Sequence, residues 1–306
     1  MKLDLQGIVP AAFTPMHQNG NLNLDVIDQY VDLLEKENIS NVFILGTAGE
    51  GCSLSVEERK KVAEKWMKSA KNRIKNVIVH VGSQSLVDTK TLSEHAESIG
   101  ASGIATVSSF YFKPKSVKHL SLYLAEVAKA APNTPTLYYH MPNFTGVNFK
   151  VKEIFDEIEK IGVPNFAGVK YTGPDLCDFG RCIDCYGHKY SICYGVDEQL
   201  SAGLLMGAQS GVGSTYNYAL KLYQNLYHAC KQEDLKLVRE LQFKAQKFIS
   251  YLLSEGLDIG MGKALMIPST GIDVGPPRLP MLPTPKKEMD KLVGELTKMG
   301  FFEWLK

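Results

Sequence analysis

Eight short apolar runs, rich in β-branched and aromatic residues, recur along this 306-residue chain: GIVPAAF, NVFILGT, NVIVHVG, GIATVSS, TPTLYYH, FAGVKYT, YSICYGV and the weaker QSGVGST. The stretches between them carry apolar residues at helical spacing. Asp25 to Lys36, with Val26, Ile27, Tyr30, Val31, Leu33 and Leu34, and Val151 to Ile161, with Ile154, Phe155, Ile158 and Ile161, are examples. Parallel strands need crossover helices, and strands apolar on both faces need burial on both faces. Eight such units within about 225 residues predict an α/β fold, a closed (β/α)8 TIM barrel, with an open doubly wound sheet as the second choice.

Ser55, followed three residues later by Glu58, predicts a capping box for a helix running through Val62 and Trp66, so GTAGEGCSL is the loop between a strand and that helix. After Tyr218 the strand pattern stops. Helical patterns over Leu235 to Leu253, Met261 to Ile267 and Lys286 to Met299, the last two separated by the breaker-rich GPPRLPMLPTP, predict a C-terminal helical extension. The expected organisation is a barrel over residues 1–225 that carries the active site, with residues 226–306 packed on it.

Apolar residues make up 44% of the chain and charged ones 22%, which suits a globular core and not a disordered chain. With 34 Lys and Arg against 33 Asp and Glu, the charge of +1 supplies no field to attract nucleic acid or an anionic membrane. Small molecules and copies of the chain are the expected partners. The amino terminus, MKLDLQGIVPAAFTPM, lacks a signal-type apolar run, and no stretch has the roughly 18 apolar residues of a membrane helix. A cytoplasmic location with six reduced cysteines is the expectation.

In such a barrel the reactive groups lie at the C-terminal ends of the strands. Lys170 ends the run FAGVK, where desolvation would turn its amine into a nucleophile toward carbonyls; a lysine snorkelling to water is the alternative. Tyr139 closes the preceding strand and would neighbour Lys170 as a proton relay, or else be a core tyrosine with a satisfied hydroxyl. Gly46-Thr47-Ala48-Gly49-Glu50 offers a hydroxyl and backbone N–H groups suited to a carboxylate, or is a plain tight turn.

Four segments in order, GTAGEG, YYHMPNFTG, GVKYT and GVDEQLSAGLLMGAQSGVGSTYN, closely resemble the N-acetylneuraminate lyase (sialic acid aldolase) branch of the dihydrodipicolinate synthase superfamily. The resemblance runs from about Gly7 to the helical tail, covering nearly the whole chain. It implies a class I aldolase that cleaves a sialic acid reversibly to N-acetylmannosamine and pyruvate, with no metal or nucleotide cofactor. By this resemblance Lys170 matches the Schiff-base lysine, Tyr139 the proton-shuttling tyrosine and Thr47 a hydroxyl on the pyruvate carboxylate. Thr172, Gly195, Asp197, Glu198 and Ser214 match the sugar-binding positions, and Ala48 contributes to the carboxylate site through its amide. Tyr111 matches a tyrosine inserted into a neighbouring subunit's site, which implies a homotetramer.

Two departures stand out. Ala48 replaces the second hydroxyl residue of the family's Gly-Thr-Thr-Gly-Glu or Gly-Ser-Thr-Gly-Glu loop, a loss worth about 1.5 to 3 kcal/mol if that hydroxyl binds a charged group. Phe144 stands where dihydrodipicolinate synthases place an arginine for an anionic second substrate, which argues against lysine biosynthesis. Other readings remain: an aldolase or hydratase acting on a different keto-deoxy sugar acid, or a barrel that binds sialic acid or pyruvate without turnover. Cys177, Cys182, Cys185 and Cys193 would make a zinc site only if sulfurs on a helix and a strand converged. Gly211-Val-Gly213-Ser-Thr lacks the spacing and lysine of a phosphate loop, and His140, alternating with Tyr139, is expected outside the lumen.

Overall fold

The computed structural model describes residues 2–306. One strand falls within each apolar run: β1 (Gly7–Pro10), β2 (Asn41–Ile44), β3 (Asn76–His80), β4 (Gly103–Val107), β5 (Thr136–His140), β6 (Phe166–Tyr171), β7 (Ser191–Tyr194) and β8 (Ser210–Gly213). They form one parallel sheet in the order β1-β8-β7-β6-β5-β4-β3-β2. The ring closes where Ala11 bridges Phe43 and the Ala12 N–H donates to the Phe43 carbonyl at 2.9 Å, so the sheet is a TIM barrel and not an open one. Apart from Gly7, every strand residue is buried, which explains why the runs are apolar on both faces.

The strand faces separate cleanly on the β5 to β7 side. Tyr138, Val169, Tyr171, Ile192 and Tyr194 point outward into a cluster with Ile154, Phe155 and Ile158 of helix Val151–Ile161 and Phe179 of helix Leu176–Tyr186. Leu137, Tyr139 and Cys193 belong instead to the core that includes the lumen. Ser55 caps helix Val56–Ala70 as expected, its hydroxyl accepting from the Glu58 N–H while the Glu58 carboxylate accepts from the Ser55 N–H.

Lys170 reaches the lumen through an irregularity. Thr136 lies opposite Phe166 but Leu137 lies opposite Gly168, so β6 carries one extra residue there. Without it Lys170 would pair with His140 on the outer face; with it Lys170 pairs with Tyr139. Gly168 sits at φ +141°, and a Cβ there would fall 1.9 Å from the Ser191 carbonyl oxygen, so only glycine fits.

Helix Leu220–Lys231 follows β8 and crosses residue 225, joining the barrel to the extension. The extension comprises helices Leu235–Ser254, Ile259–Ala264, Met266–Thr270 and Lys286–Met299. Where the sequence predicts one helix over Met261 to Ile267 there are two short ones. The first starts two residues earlier than expected, at Ile259, where Asp258 caps it by accepting the Met261 N–H at 2.8 Å, and Pro268 has no N–H to continue the ladder past Ala264. Among the described residues no helix is long and apolar enough to cross a membrane.

Gly168→Ala is expected to cost about 3 kcal/mol or more in urea unfolding, through the clash and the positive φ. Gly294→Ala, in helix Lys286–Met299 with open space around the new methyl, is expected to stabilise by about 0.5 to 1 kcal/mol. Equal effects of the two in the same melt would contradict the assigned bulge.

Candidate active site

The C-terminal ends of the strands surround a cavity of about 600 Å³, within the range of small-molecule sites. Lys170, 5% exposed, projects into it. Its ammonium nitrogen lies 4.2 Å from the centre of the Tyr139 ring and 4.6 Å from that of Phe43, and forms no ion pair among the described residues. The side chain is therefore buried against π-faces and does not snorkel to bulk water. The Thr47 hydroxyl oxygen is 3.4 Å from the Tyr139 hydroxyl, so Lys170, Tyr139 and Thr47 share one end of the cavity.

The Gly46–Gly51 loop is folded on itself, with the Glu50 N–H donating to the Thr47 carbonyl at 3.0 Å and the Gly51 N–H to the Gly46 carbonyl at 3.1 Å. Leu45 and Glu50 both have positive φ, 61° and 54°. Among the described residues the Thr47 and Ala48 amides donate to no protein acceptor, while both residues line the cavity. Free amides at a cavity wall suit a carboxylate, and Ala48 presents this donor without a hydroxyl.

The opposite side of the cavity is polar. Asp197 is buried, one carboxylate oxygen accepting from the Thr215 N–H at 3.1 Å and its hydroxyl at 2.6 Å, the other without a partner among the described residues. Burial raises its pKa to about 6, against the pull of the Thr215 hydrogen bonds. A Cβ at Gly213 would lie 1.9 Å from that free oxygen, and one at Gly195 would lie 2.1 Å from the equally unpartnered Thr172 hydroxyl. Both glycines make room for polar groups. Glu198 and Ser214, half-buried, complete this side. Helix Leu235–Ser254 braces it, the Gln242 and Gln246 side-chain amides donating to the Asp197 and Glu198 carbonyls at 3.3 and 3.0 Å.

Other sequence candidates fall elsewhere. Tyr111 is 77% exposed and Phe112 83%, outside this cavity, whereas Phe144 lies at its mouth. The His140 ring packs against Tyr138 and Tyr171 on the outer face. Cys193 is buried in β7 while Cys177 and Cys185 are exposed on a helix, and no metal-binding group of three His, Cys, Asp or Glu occurs among the described residues. The Gly213-Ser-Thr turn spends its Thr215 donors on Asp197.

Two features escape the sequence reading. His80, at the end of β3, lines the cavity; its Nδ1 lies 3.1 Å from the Leu45 carbonyl and so carries the proton, leaving Nε2 as an acceptor. Burial, with Arg59 and Lys170 nearby, holds its pKa well below the usual range. The strand-end rule that singles out Lys170 also applies to His80. The second is a wall from the extension, Ile249, Leu253, Leu257, Ile259 and Met281, which no local pattern connects to the barrel mouth.

A profile of the Dihydrodipicolinate synthetase family matches residues 4–299. The chain is 43% identical over 302 residues to N-acetylneuraminate lyase of Mus musculus, covering 98% of this chain and 94% of that protein. Among solved structures, N-acetylneuraminate lyase of Proteus mirabilis superposes with a TM-score of 0.91 at 35% identity, covering 97% of this chain and 99% of that one. N-acetylneuraminate lyase (sialic acid aldolase) of Aliivibrio salmonicida gives 0.92 at 33% identity, covering 98% of each.

The raised pKa of Asp197 has a definite sign in stability. The folded chain holds this proton more tightly than the unfolded one, so its cost is absent below about pH 4, grows as pH rises, and is complete above about pH 6, where it reaches about 3 kcal/mol. Asp197→Asn is therefore expected to gain stability over the wild type between pH 4 and 7 in paired urea melts; a difference that does not change with pH would refute the shift.

Proposed function

The chain belongs to the dihydrodipicolinate synthetase family, and from that premise we propose that it is a class I aldolase cleaving N-acetylneuraminate reversibly to N-acetylmannosamine and pyruvate, with Lys170 as nucleophile. The observation that carries this reading is the Lys170 amine, buried against the Tyr139 ring with no counter-ion among the described residues, and with the Thr47 hydroxyl beside the phenol. An amine held at the cavity wall without a carboxylate partner is placed to attack the carbonyl of a bound substrate.

The neutral Lys170 amine adds to the C2 carbonyl of the open-chain sugar acid, and loss of water gives a protonated imine. As the C3–C4 bond breaks, its electron pair moves into the imine to form an enamine, and the C4 hydroxyl becomes the aldehyde of N-acetylmannosamine. The Tyr139 hydroxyl relays the C4 hydroxyl proton to the substrate carboxylate, which the Thr47 hydroxyl and the Thr47 and Ala48 amides hold. Protonation at C3 and hydrolysis then release pyruvate and restore the amine. Thr172, Gly195, Asp197, Glu198 and Ser214 bind the sugar portion; the free Asp197 oxygen and Thr172 hydroxyl support this, because buried polar groups without partners suit a polyol. Phe144 at the mouth offers no charge to an anionic second substrate.

The same reading makes the protein a homotetramer in which Tyr111 enters a neighbouring subunit's site, supported by its exposure beside Phe112. It places the protein in the cytoplasm, where the six free thiols are at home.

Borohydride reduction with pyruvate, peptide mapping and an assay of N-acetylmannosamine release test the proposal together. The expected result is a pyruvyl adduct on Lys170 with cleavage. An adduct without cleavage would move the substrate to another keto-deoxy sugar acid, and no adduct would leave a binding barrel. Lys170→Ala is expected to abolish turnover, and Tyr139→Phe to lower it by about 10²-fold or more while leaving the trapped imine detectable.

A further inference from the structure

The Glu50 side chain closes the Gly46–Gly51 loop against the C-terminal extension through an ion pair from which solvent is excluded. Its carboxylate meets the Lys263 ammonium at 2.8 Å, and both side chains have no exposed surface. Every N–H of that ammonium has a partner: Glu50, the Thr14 carbonyl at 2.9 Å and the Pro276 carbonyl at 2.7 Å. The second Glu50 oxygen accepts the Arg278 N–H at 2.7 Å. Arg278 in turn forks onto the Glu58 carboxylate at 2.7 and 2.9 Å and donates to the Ser53 carbonyl at 2.9 Å, so the residues that follow this loop are tied to the same segment.

With both oxygens engaged and no side-chain surface exposed, the Glu50 carboxylate is out of a ligand's reach, although the residue borders the cavity. It also sits at φ 54°, a conformation a non-glycine residue keeps only when its surroundings impose it. A buried ion pair is a poor device for stability, since apolar residues of similar volume serve as well or better, but it fixes one geometry because either charge alone is strongly penalised. What it fixes here is the backbone three residues after Thr47, whose carbonyl accepts the Glu50 N–H.

Resting on the Schiff-base reading above, we infer that Glu50 and Lys263 are positioning residues: their ion pair holds the Thr47 and Ala48 amides in the shape that binds the carboxylate of the carbonyl substrate. The extension is thereby part of the site in function as well as in lining.

The test compares two carbonyl probes on the full-length protein, pyruvate and acetaldehyde, which forms an imine but has no carboxylate. Borohydride trapping at Lys170 is followed by peptide mass mapping over a range of probe concentrations. In Glu50→Gln and Lys263→Met, the pyruvate concentration for half-maximal trapping is expected to rise about tenfold or more, the worth of one hydrogen bond to a charged group, with acetaldehyde trapping unchanged. Equal losses for both probes, or no change for either, would overturn the inference. If either single variant lacks a cooperative melt, the double Glu50→Leu/Lys263→Met, which leaves no unpaired charge, takes its place with the same expectations. Trapping of neither probe by the unsubstituted protein would instead overturn the Schiff-base reading, and the positioning role with it.

Discussion

A parallel eight-stranded ring offers few places where a polar side chain is both desolvated and reachable, and the C-terminal mouth of the lumen is one of them. Lys170 occupies it because β6 contains one residue more than β5 demands. That residue is accommodated by Gly168, whose backbone conformation and contact with the Ser191 carbonyl leave no room for a Cβ. Side chains alternate across a strand, so a single residue decides whether the ammonium faces Tyr139 or the helices. Phe43 and Tyr139 then hold it between π-faces, with no neutralising carboxylate among the described residues.

Around that lysine the two sides of the cavity solve different problems. The Gly46–Gly51 side presents backbone amides, which cost little to leave open to a cavity that admits water or a carboxylate. The Asp197 side holds a carboxyl whose pKa burial has raised to about 6 and whose free oxygen depends on the missing Cβ of Gly213. A chain selected for stability alone would not keep a desolvated carboxyl half-satisfied; binding sites commonly do.

The extension does more than cover the barrel. Gln242 and Gln246 brace the Asp197-Glu198 turn, Lys263 and Arg278 grip the Gly46–Gly51 loop, and apolar residues of the same segment form a cavity wall. Both sides of the cavity are thus bonded to the same C-terminal segment. Strand ends and extension meet around one cavity, the strand ends lining it with polar groups and the extension contacting both of its sides.

The barrel was legible in the sequence because strand and helix periods are local: eight apolar runs each became a strand, the Ser55 capping box follows from spacing alone, and alternation sets Tyr139 and His140 on opposite faces. Lys170, Tyr139 and Thr47 were likewise visible as strand-end or loop residues, and Asp197 only through the family resemblance; their convergence in one cavity follows from the ring. The extension's one predicted helix over Met261 to Ile267 failed because capping by Asp258 and the missing N–H of Pro268 outweighed the apolar pattern. The bulge that turns Lys170 inward, the spaces behind Asp197 and Thr172, and the pairing of Glu50 with a lysine 213 residues away could be decided only by the tertiary structure. Each depends on where a neighbouring strand's carbonyl or a distant ammonium lies, and neither hydrophobic period nor residue type encodes that.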